Sequence, residues 1–231
     1  MSKILAIIPA RGGSKEIPKK NVKIFNGRPL IEWTIKSALK SKLINKIIVS
    51  SDSKKILSMS KDLGVDTILR PKNISGDNDS VESAIKHTLS KLKNIYEVIV
   101  LLSPTSPIRK INDIDNAIRY FKSKNLDSCF SGARLTDFLI WNFNKKNKTY
   151  KSINYDYKNR GIRQNRDQNF VENGSIYVFK NELIKNKNNR IGGNIGIYIM
   201  EFWQSFELDE KKDWKFLESI QKSYILKKNA K

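Results

Sequence analysis

Close to its amino end the chain reads Pro9-Ala10-Arg11-Gly12-Gly13-Ser14-Lys15 and then Ile17-Pro18-Lys19-Lys20-Asn21, directly after the apolar run Ile4 to Ile8. Glycine lets backbone N–H groups close in on an anion, because no Cβ stands between them. Arg11, Lys15 and Lys20 bring the positive charge that a polyphosphate needs, with Ser14 as a small polar neighbour. The spacing is neither the G-x-x-x-x-G-K-[ST] of a Walker A loop nor the G-x-G-x-x-G of a dinucleotide site. On residue types alone the stretch reads as an anion cradle, with a basic surface loop after a first strand as the alternative.

Far along the chain, Phe206-Glu207-Leu208-Asp209 sets two carboxylates one residue apart. In an extended segment they share a face, so both can reach one hard cation. Magnesium, or manganese in its place, takes one or two carboxylates and completes its shell with water and phosphate oxygens, which suits a loop built for phosphate. Asp213 is expected instead on the first turn of a helix, where a carboxylate complements the dipole. The single histidine, His87, falls off the apolar stripe of a helix and is expected to be solvated, so histidine base catalysis is not expected. A metal-bound water or a carboxylate is left as the proton acceptor.

A sheet must position these groups. Ile4 to Ile8 reads as a short buried first strand, Ile47 to Val49 and Val65 to Leu69 read as a second and a short third strand, and Val98 to Leu102 is a continuous apolar run suited to the centre of a parallel sheet. Between them, Ile31, Ile35, Ala38 and Leu39 fall on one helical face. So do Val81, Ala84, Ile85, Thr88, Leu89 and Leu92, and further on Ile114, Ala117, Ile118 and Phe121. Strands alternating with helices predict a three-layer α/β sandwich with a mostly parallel sheet. Ligands bind beyond the carboxyl ends of such strands. Arg11 to Ser14, Ser50 to Asp52, Arg70-Pro71 and Ser103 to Pro107 follow the four runs in those positions. Residues from about 134 to 166 mix aromatics with Asn and Lys without a period, and read as an excursion from the sheet, a hairpin or a subunit contact. Asn173 to Phe179 then reads as a strand announced by a turn, a last helix is expected from about Glu210 to Ser223, and Lys227 to Lys231 as a frayed basic tail.

At 231 residues the chain is expected to form one domain, 1–231, with a full core. No apolar run is long enough to cross a bilayer, and Ile4 to Ile8 is too short for a secretory segment, so no membrane insertion is expected and cytosol is the expected location. The single cysteine, Cys129, excludes an internal disulfide and is expected to be a buried, inert thiol. The net charge of +21 is spread through the whole chain and accompanies no zinc-finger, RNP-like or helix-turn-helix pattern. No specific nucleic-acid partner is expected from it.

Ile8-Pro9-Ala10-Arg11-Gly12-Gly13-Ser14-Lys15 with Ile17-Pro18-x-Lys20-Asn21 resembles the opening signature of the acylneuraminate cytidylyltransferases, or CMP-sialic acid synthetases. The likeness continues in order through Val49 to Asp52, Arg70-Pro71, Leu101 to Arg109, Arg163-Gln164, Asn173 to Tyr177 and Phe206 to Asp209. It implies a nucleotidyltransferase fold similar to the Rossmann type, a magnesium-dependent reaction with CTP and a homodimer. The anomeric hydroxyl of a nine-carbon, nonulosonic 2-keto-3-deoxy sugar acid would attack the α-phosphorus of CTP and release pyrophosphate. The resemblance assigns the triphosphate to Arg11, Ser14 and Lys20, and the cytidine to Asn21, Arg70 and Ser80. It assigns the sugar acid to Ser103, Arg163, Gln164, Asn173 and Tyr177, and the metal to Asp209 with Glu207. Arg11, Lys20 and Asp209 would carry the catalysis.

Three residues depart from the pattern. Ser103 stands where many members have glutamine near the acceptor, which leaves room for a bulkier or differently substituted sugar. Glu207 replaces the first aspartate of Asp-x-Asp, and Glu16 replaces a glycine and is expected to face solvent. Two other readings stand beside this one. Cytidylyl transfer to the eight-carbon sugar acid of lipopolysaccharide lacks the Gly-Gly-Ser-Lys block in its usual signature. A non-catalytic cationic binding protein on the same fold would not need Arg11, Lys20 and Asp209 intact.

Overall fold

In the computed structural model, residues 3–136, 138–162, 164 and 167–226 are described. The first strand, β1 (Ile4–Pro9), is buried along nearly its whole length, as the apolar run predicts. A short antiparallel pair, β2 (Ile24–Phe25) and β3 (Arg28–Pro29), leads into α1 (Leu30–Leu39). β4 (Lys46–Ser51), α2 (Lys54–Asp62) and β5 (Asp66–Leu69) follow, then α3 (Val81–Ser90), β6 (Val98–Leu102) and α4 (Asp113–Ser123). The remaining elements are β7 (Ser128–Leu135), β8 (Trp141–Asn144), β9 (Thr149–Ser152), β10 (Asn169–Lys180), α5 (Asn181–Lys187), β11 (Ile195–Met200) and α6 (Asp213–Gln221).

The main sheet has seven strands in the order β11-β7-β10-β6-β1-β4-β5. β1 pairs in parallel with both β4 and β6, and only β10 runs against its neighbours. One face carries the cluster of Ile4, Ala6, Ile8, Ile31 and Ile118 under α1 and α4, the other that of Leu5, Ile7, Ile99 and Ile85 under α3. Strands buried on both faces are what continuous apolar runs in a parallel sheet produce. The α/β expectation therefore holds.

Some expectations need correction. Leu39 is 47% exposed, because α1 turns its buried face through Leu30, Ile31, Thr34, Ile35 and Ala38 instead. Val81 is also exposed, and α3 ends at Ser90, so Leu92 lies past the helix it was expected to extend. His87 is half-buried rather than solvated; burial first, then Lys91 and Arg70, lowers its pKa and favours the neutral ring. The strand expected at Asn173 to Phe179 is the second half of the longer β10, whose register against β7 shifts between Glu172 and Tyr177. The last helix begins at Asp213 and passes into a π-helical turn at Lys222–Leu226. Strand β11 and helix α5 were not foreseen.

Within the 134–166 excursion, β8 and β9 form a separate two-stranded hairpin. Cross-strand Phe143 and Tyr150 meet with ring centroids 4.8 Å apart, yet both rings remain exposed.

Candidate active site

A cleft of about 300 Å³ opens where the loops after β1, β5 and β6 converge. Arg11, Ser14, Lys20, Asn21, Arg70, Ser80, Ser103 and Asp209 all line it, drawn from positions almost 200 residues apart. The loop after β1 is held from below: Gly12 donates its backbone N–H to Asp52 Oδ1 at 2.7 Å. A Cβ on Gly12 would stand 2.8 Å from that of Ser53, so only glycine lets the two loops approach this closely.

Lys20 joins the two distant motifs. Its Nζ donates to the Leu208 carbonyl at 2.6 Å and lies 3.5 Å from Asp209 Oδ1. Leu208 is fully buried between the two carboxylates, and its N–H donates to the Thr105 carbonyl at 2.9 Å. This pins the acidic segment to the loop after β6. Asp209 is exposed to the cleft, whereas Glu207 turns inward and accepts the Thr105 hydroxyl at 3.1 Å. Burial, and after it the negative charge of Asp209, raises the pKa of Glu207. Asp213 stands on the first turn of the last helix, as expected of a carboxylate at a helix start, and accepts the backbone N–H groups of Asp209 and Glu210 in the turn before it.

Asn21 is buried; its Nδ2 donates to the Arg11 carbonyl at 2.9 Å, and its Oδ1 has no partner among the described residues. Arg70 is 7% exposed, its Nε is likewise unpartnered among the described residues, and burial lowers its pKa. Ser80 caps α3, accepting the N–H of Ser83 at 3.2 Å, and stays exposed on the cleft wall. The Ser103 and Thr105 hydroxyls lie 3.0 Å apart, so a short polar chain runs from Ser103 to Glu207.

The residues that the resemblance gave to a sugar acid are less uniform. Asn173 does not face the cleft. It is 1% exposed, and its amide is used internally by Ser131, the N–H of Ser175 and Met200, which locks the irregularity in β10. Tyr177 is nearly buried and donates its hydroxyl to Glu172. Gln164 is exposed on a separate groove beside Arg134 and Phe138, and the fold does not bring it to the cleft within one chain. Arg163 lies outside the described residues.

The site also contains groups that the sequence did not single out. Asp77 pairs with both Arg11 and Lys15, at 2.8 Å from the latter, and those two cations hold its carboxyl below the usual range. Arg109 is wholly buried and donates to the carbonyls of Ser103 at 2.6 Å and Ser175 at 2.8 Å, tying β6 to β10 beneath the cleft. Burial pushes its pKa down to about 10, which leaves it charged at neutral pH. Arg109 and Thr105 belong to the same Ser103–Arg109 block that suggested the site. The Asp77 pairing had no local signal.

Among the described residues no group of three or more His, Cys, Asp or Glu side chains could hold a metal ion. Glu207 and Asp209 do fit a cation that takes its remaining ligands from phosphate. One carboxylate is exposed in the cleft, the other is half-buried beside it, and the like charge between them favours an added positive ion.

No helix of the described residues is long and apolar enough to cross a membrane. Residues 5–231 match the Cytidylyltransferase family. The chain is 29% identical over 227 residues to an N-acylneuraminate cytidylyltransferase of Escherichia coli O18:K1:H7, covering 95% of this chain and 52% of that protein. It is 30% identical over 225 residues to a CMP-N,N'-diacetyllegionaminic acid synthase of Legionella pneumophila, covering 94% and 96% respectively. It therefore spans about half the length of the first relative and nearly all of the second. Among solved structures, a CMP:2-keto-3-deoxy-manno-octonic acid synthetase complexed with CTP superposes with a TM-score of 0.73 at 15% identity, covering 97% of this chain and 100% of that one. At that identity the likeness shows the fold. The strand order, the converging loops and the family match lead to one conclusion: the chain belongs to the cytidylyltransferase family.

Proposed function

We propose that the protein transfers CMP from CTP to the anomeric hydroxyl of a nonulosonic, sialic-type sugar acid and releases pyrophosphate. The observation that carries this reading is the position of Lys20. Its ammonium group sits between the glycine loop and Asp209, within reach of both a triphosphate and a cation bound at the acidic pair. Arg11, Ser14 and Lys20 receive the phosphates. The unpartnered Asn21 Oδ1 and Arg70 Nε offer one acceptor and one donor to the cytosine edge, with Ser80 beside them.

The sugar hydroxyl oxygen forms a bond to the α-phosphorus as the bond to the bridging oxygen of pyrophosphate breaks, and the hydroxyl proton passes to a carboxylate or a water in the cleft. Charge builds on the phosphoryl and leaving oxygens, and Lys20 and Arg11 stabilise it there. Removing one such cation costs on the order of 2–4 kcal/mol of transition-state stabilisation. Magnesium or manganese, held by Asp209 with Glu207 beside it, would add Lewis-acid neutralisation of the same phosphate oxygens. The exposed aromatics of the β8–β9 hairpin support a homodimer, and cytoplasm is the compartment that suits CTP chemistry.

Supplying CTP, magnesium and a panel of 2-keto-3-deoxy sugar acids, and following pyrophosphate, tests the proposal. Release that depends on a nine-carbon acid is expected. Failure of CTP to bind would overturn it.

A further inference from the structure

A second cavity, of about 390 Å³ against about 300 Å³ for the cleft, opens between α1, the end of the Ser103–Arg109 block and the π-helical turn after α6. The two share no lining residue: Ser103 to Thr105 face the cleft, whereas Pro107 and Arg109 to Ile111 line the other. Five of its lining residues are cations, Arg28, Lys36, Lys40, Arg109 and Lys110, and no carboxylate lines it among the described residues. Glu32 pairs with Arg28 at 3.1 Å and Lys36 at 2.9 Å, and Glu201 with Lys110 at 3.2 Å, so part of that charge is met from outside the cavity. Arg109 is not met in this way. It is wholly buried and, among the described residues, bonded only to the neutral oxygens of Thr34, Ser103 and Ser175. Asp113 and Glu207 favour its charge through space without bonding it. A buried cation with no bonded counter-charge favours an anion nearby.

Two rings complete the wall. Trp33 is fixed by its Nε1, which donates to the Phe25 carbonyl at 2.7 Å. Tyr224, 47% exposed, stacks one face on Trp203, with ring centroids 4.7 Å and planes 15° apart. Its other face has no ring partner among the described residues and can take a flat group.

We propose that this cavity is a second nucleotide site, which takes a nucleoside diphosphate with its base against Tyr224 and its phosphates among Lys36, Lys40 and Lys110. It stands apart from the cytidylyl-transfer reading and uses none of the residues that line the cleft. A diphosphate fits because its charge is spread over several oxygens, as the cations are spread over α1 and the loop after β6; a lone carboxylate would leave most of them unmet. The base continues the Trp203–Tyr224 stack, a contact open to any base because each has a flat face. Little is left to read its edge, since the Gln221 amide is already engaged by Asn26 and the Pro107 carbonyl. The cavity's size is that of a site for one small molecule rather than a path for a strand.

Calorimetric titration of ADP tests this, because ADP carries no cytosine for the cleft to recognise. Binding is expected in wild type and, within about twofold, in Lys20→Ala, where the cleft has lost its central phosphate contact. Lys36→Gln combined with Lys40→Gln weakens it by about tenfold or more, and Tyr224→Ala by about fivefold or more. These side chains lie at the surface, so circular dichroism stays unchanged in both variants. In the Lys20→Ala background, inorganic diphosphate binds about fivefold or more weakly than ADP, for want of the base. No binding of ADP overturns the proposal. Binding that falls in Lys20→Ala yet survives loss of the two lysines also overturns it, since ADP then sits in the cleft. Inorganic diphosphate that matches ADP, or a single strand of oligo(dA) that binds far more tightly through the same lysines, overturns it as well.

Discussion

The cleft and the β8–β9 hairpin are built from opposite materials. Cleft side chains sit on loops that follow strands of the main sheet, the central β1 and β6 buried on both faces, and their charges are met within a few ångströms. Lys20 has the Leu208 carbonyl, Arg11 and Lys15 have Asp77, and Arg109 has three oxygens under the site. The hairpin has no core behind it. Trp141, Phe143 and Tyr150 are 43%, 45% and 70% exposed, and its order comes from its own ring contacts, such as Trp141 with Tyr157 at 5.4 Å. A sheet end can fix polar groups for chemistry because the strands beneath cannot shift. A lone hairpin fixes little except an apolar surface, the face given to the proposed homodimer.

The largest expected effect breaks the cleft at its centre. Lys20→Ala should lower kcat/KM by about 30- to 1,000-fold while circular dichroism stays unchanged, since the lost group acts on charge rather than on the core. Asp209→Ala should cost about a hundredfold and abolish the dependence of rate on magnesium concentration. Full activity in that variant would remove the metal assignment. On the other side of the comparison, replacing both Trp141 and Phe143 by serine should weaken self-association by about tenfold or more in sedimentation, with unfolding temperature nearly unchanged. A dimer of undiminished affinity would show that the hairpin is not its interface.

A smaller effect tests how tightly the acidic segment is fitted. Gly174 has a φ of +62°, and a Cβ there would stand 2.0 Å from Glu207 Oε1. Gly174→Ala should therefore cost about 1–3 kcal/mol, seen as a lowered denaturation midpoint. The smallest effect is a pH dependence. Because the folded-state pKa of Glu207 is raised, the folded protein holds that proton more tightly than the unfolded chain. Its contribution to stability is fully present below the ordinary glutamate value and is lost as pH rises through the raised one. Glu207→Gln should then match wild type in acid and exceed it by about 2–4 °C in unfolding temperature at neutral pH. A stability difference that is flat with pH would contradict the burial of that carboxylate.

What could be read from the sequence follows the same division. Val98 to Leu102 matches β6 to the residue, because a strand buried on both faces must be apolar throughout. The loops after such strands were legible for the same reason. Strand β11 escaped notice: it lies at the sheet edge with Ile195 and Ile199 exposed, and Gly196 interrupts its run. Helix α5 is only seven residues long, too short to show a period. The internal use of Asn173 and the pairing of Asp77 with Arg11 across 66 positions are tertiary facts with no local trace. The excursion was visible as a break in pattern, with a hairpin among its expected forms, but its strand bounds were not, since its aromatics answer to one another rather than to a core.

The most direct test of the account is a calorimetric titration of CTP with magnesium into wild type and Lys20→Ala. Affinity should fall by about 30-fold or more in the variant, as loss of a charged contact to phosphate requires. Equal affinity in the two proteins would mean that the triphosphate does not lie between the glycine loop and the acidic segment.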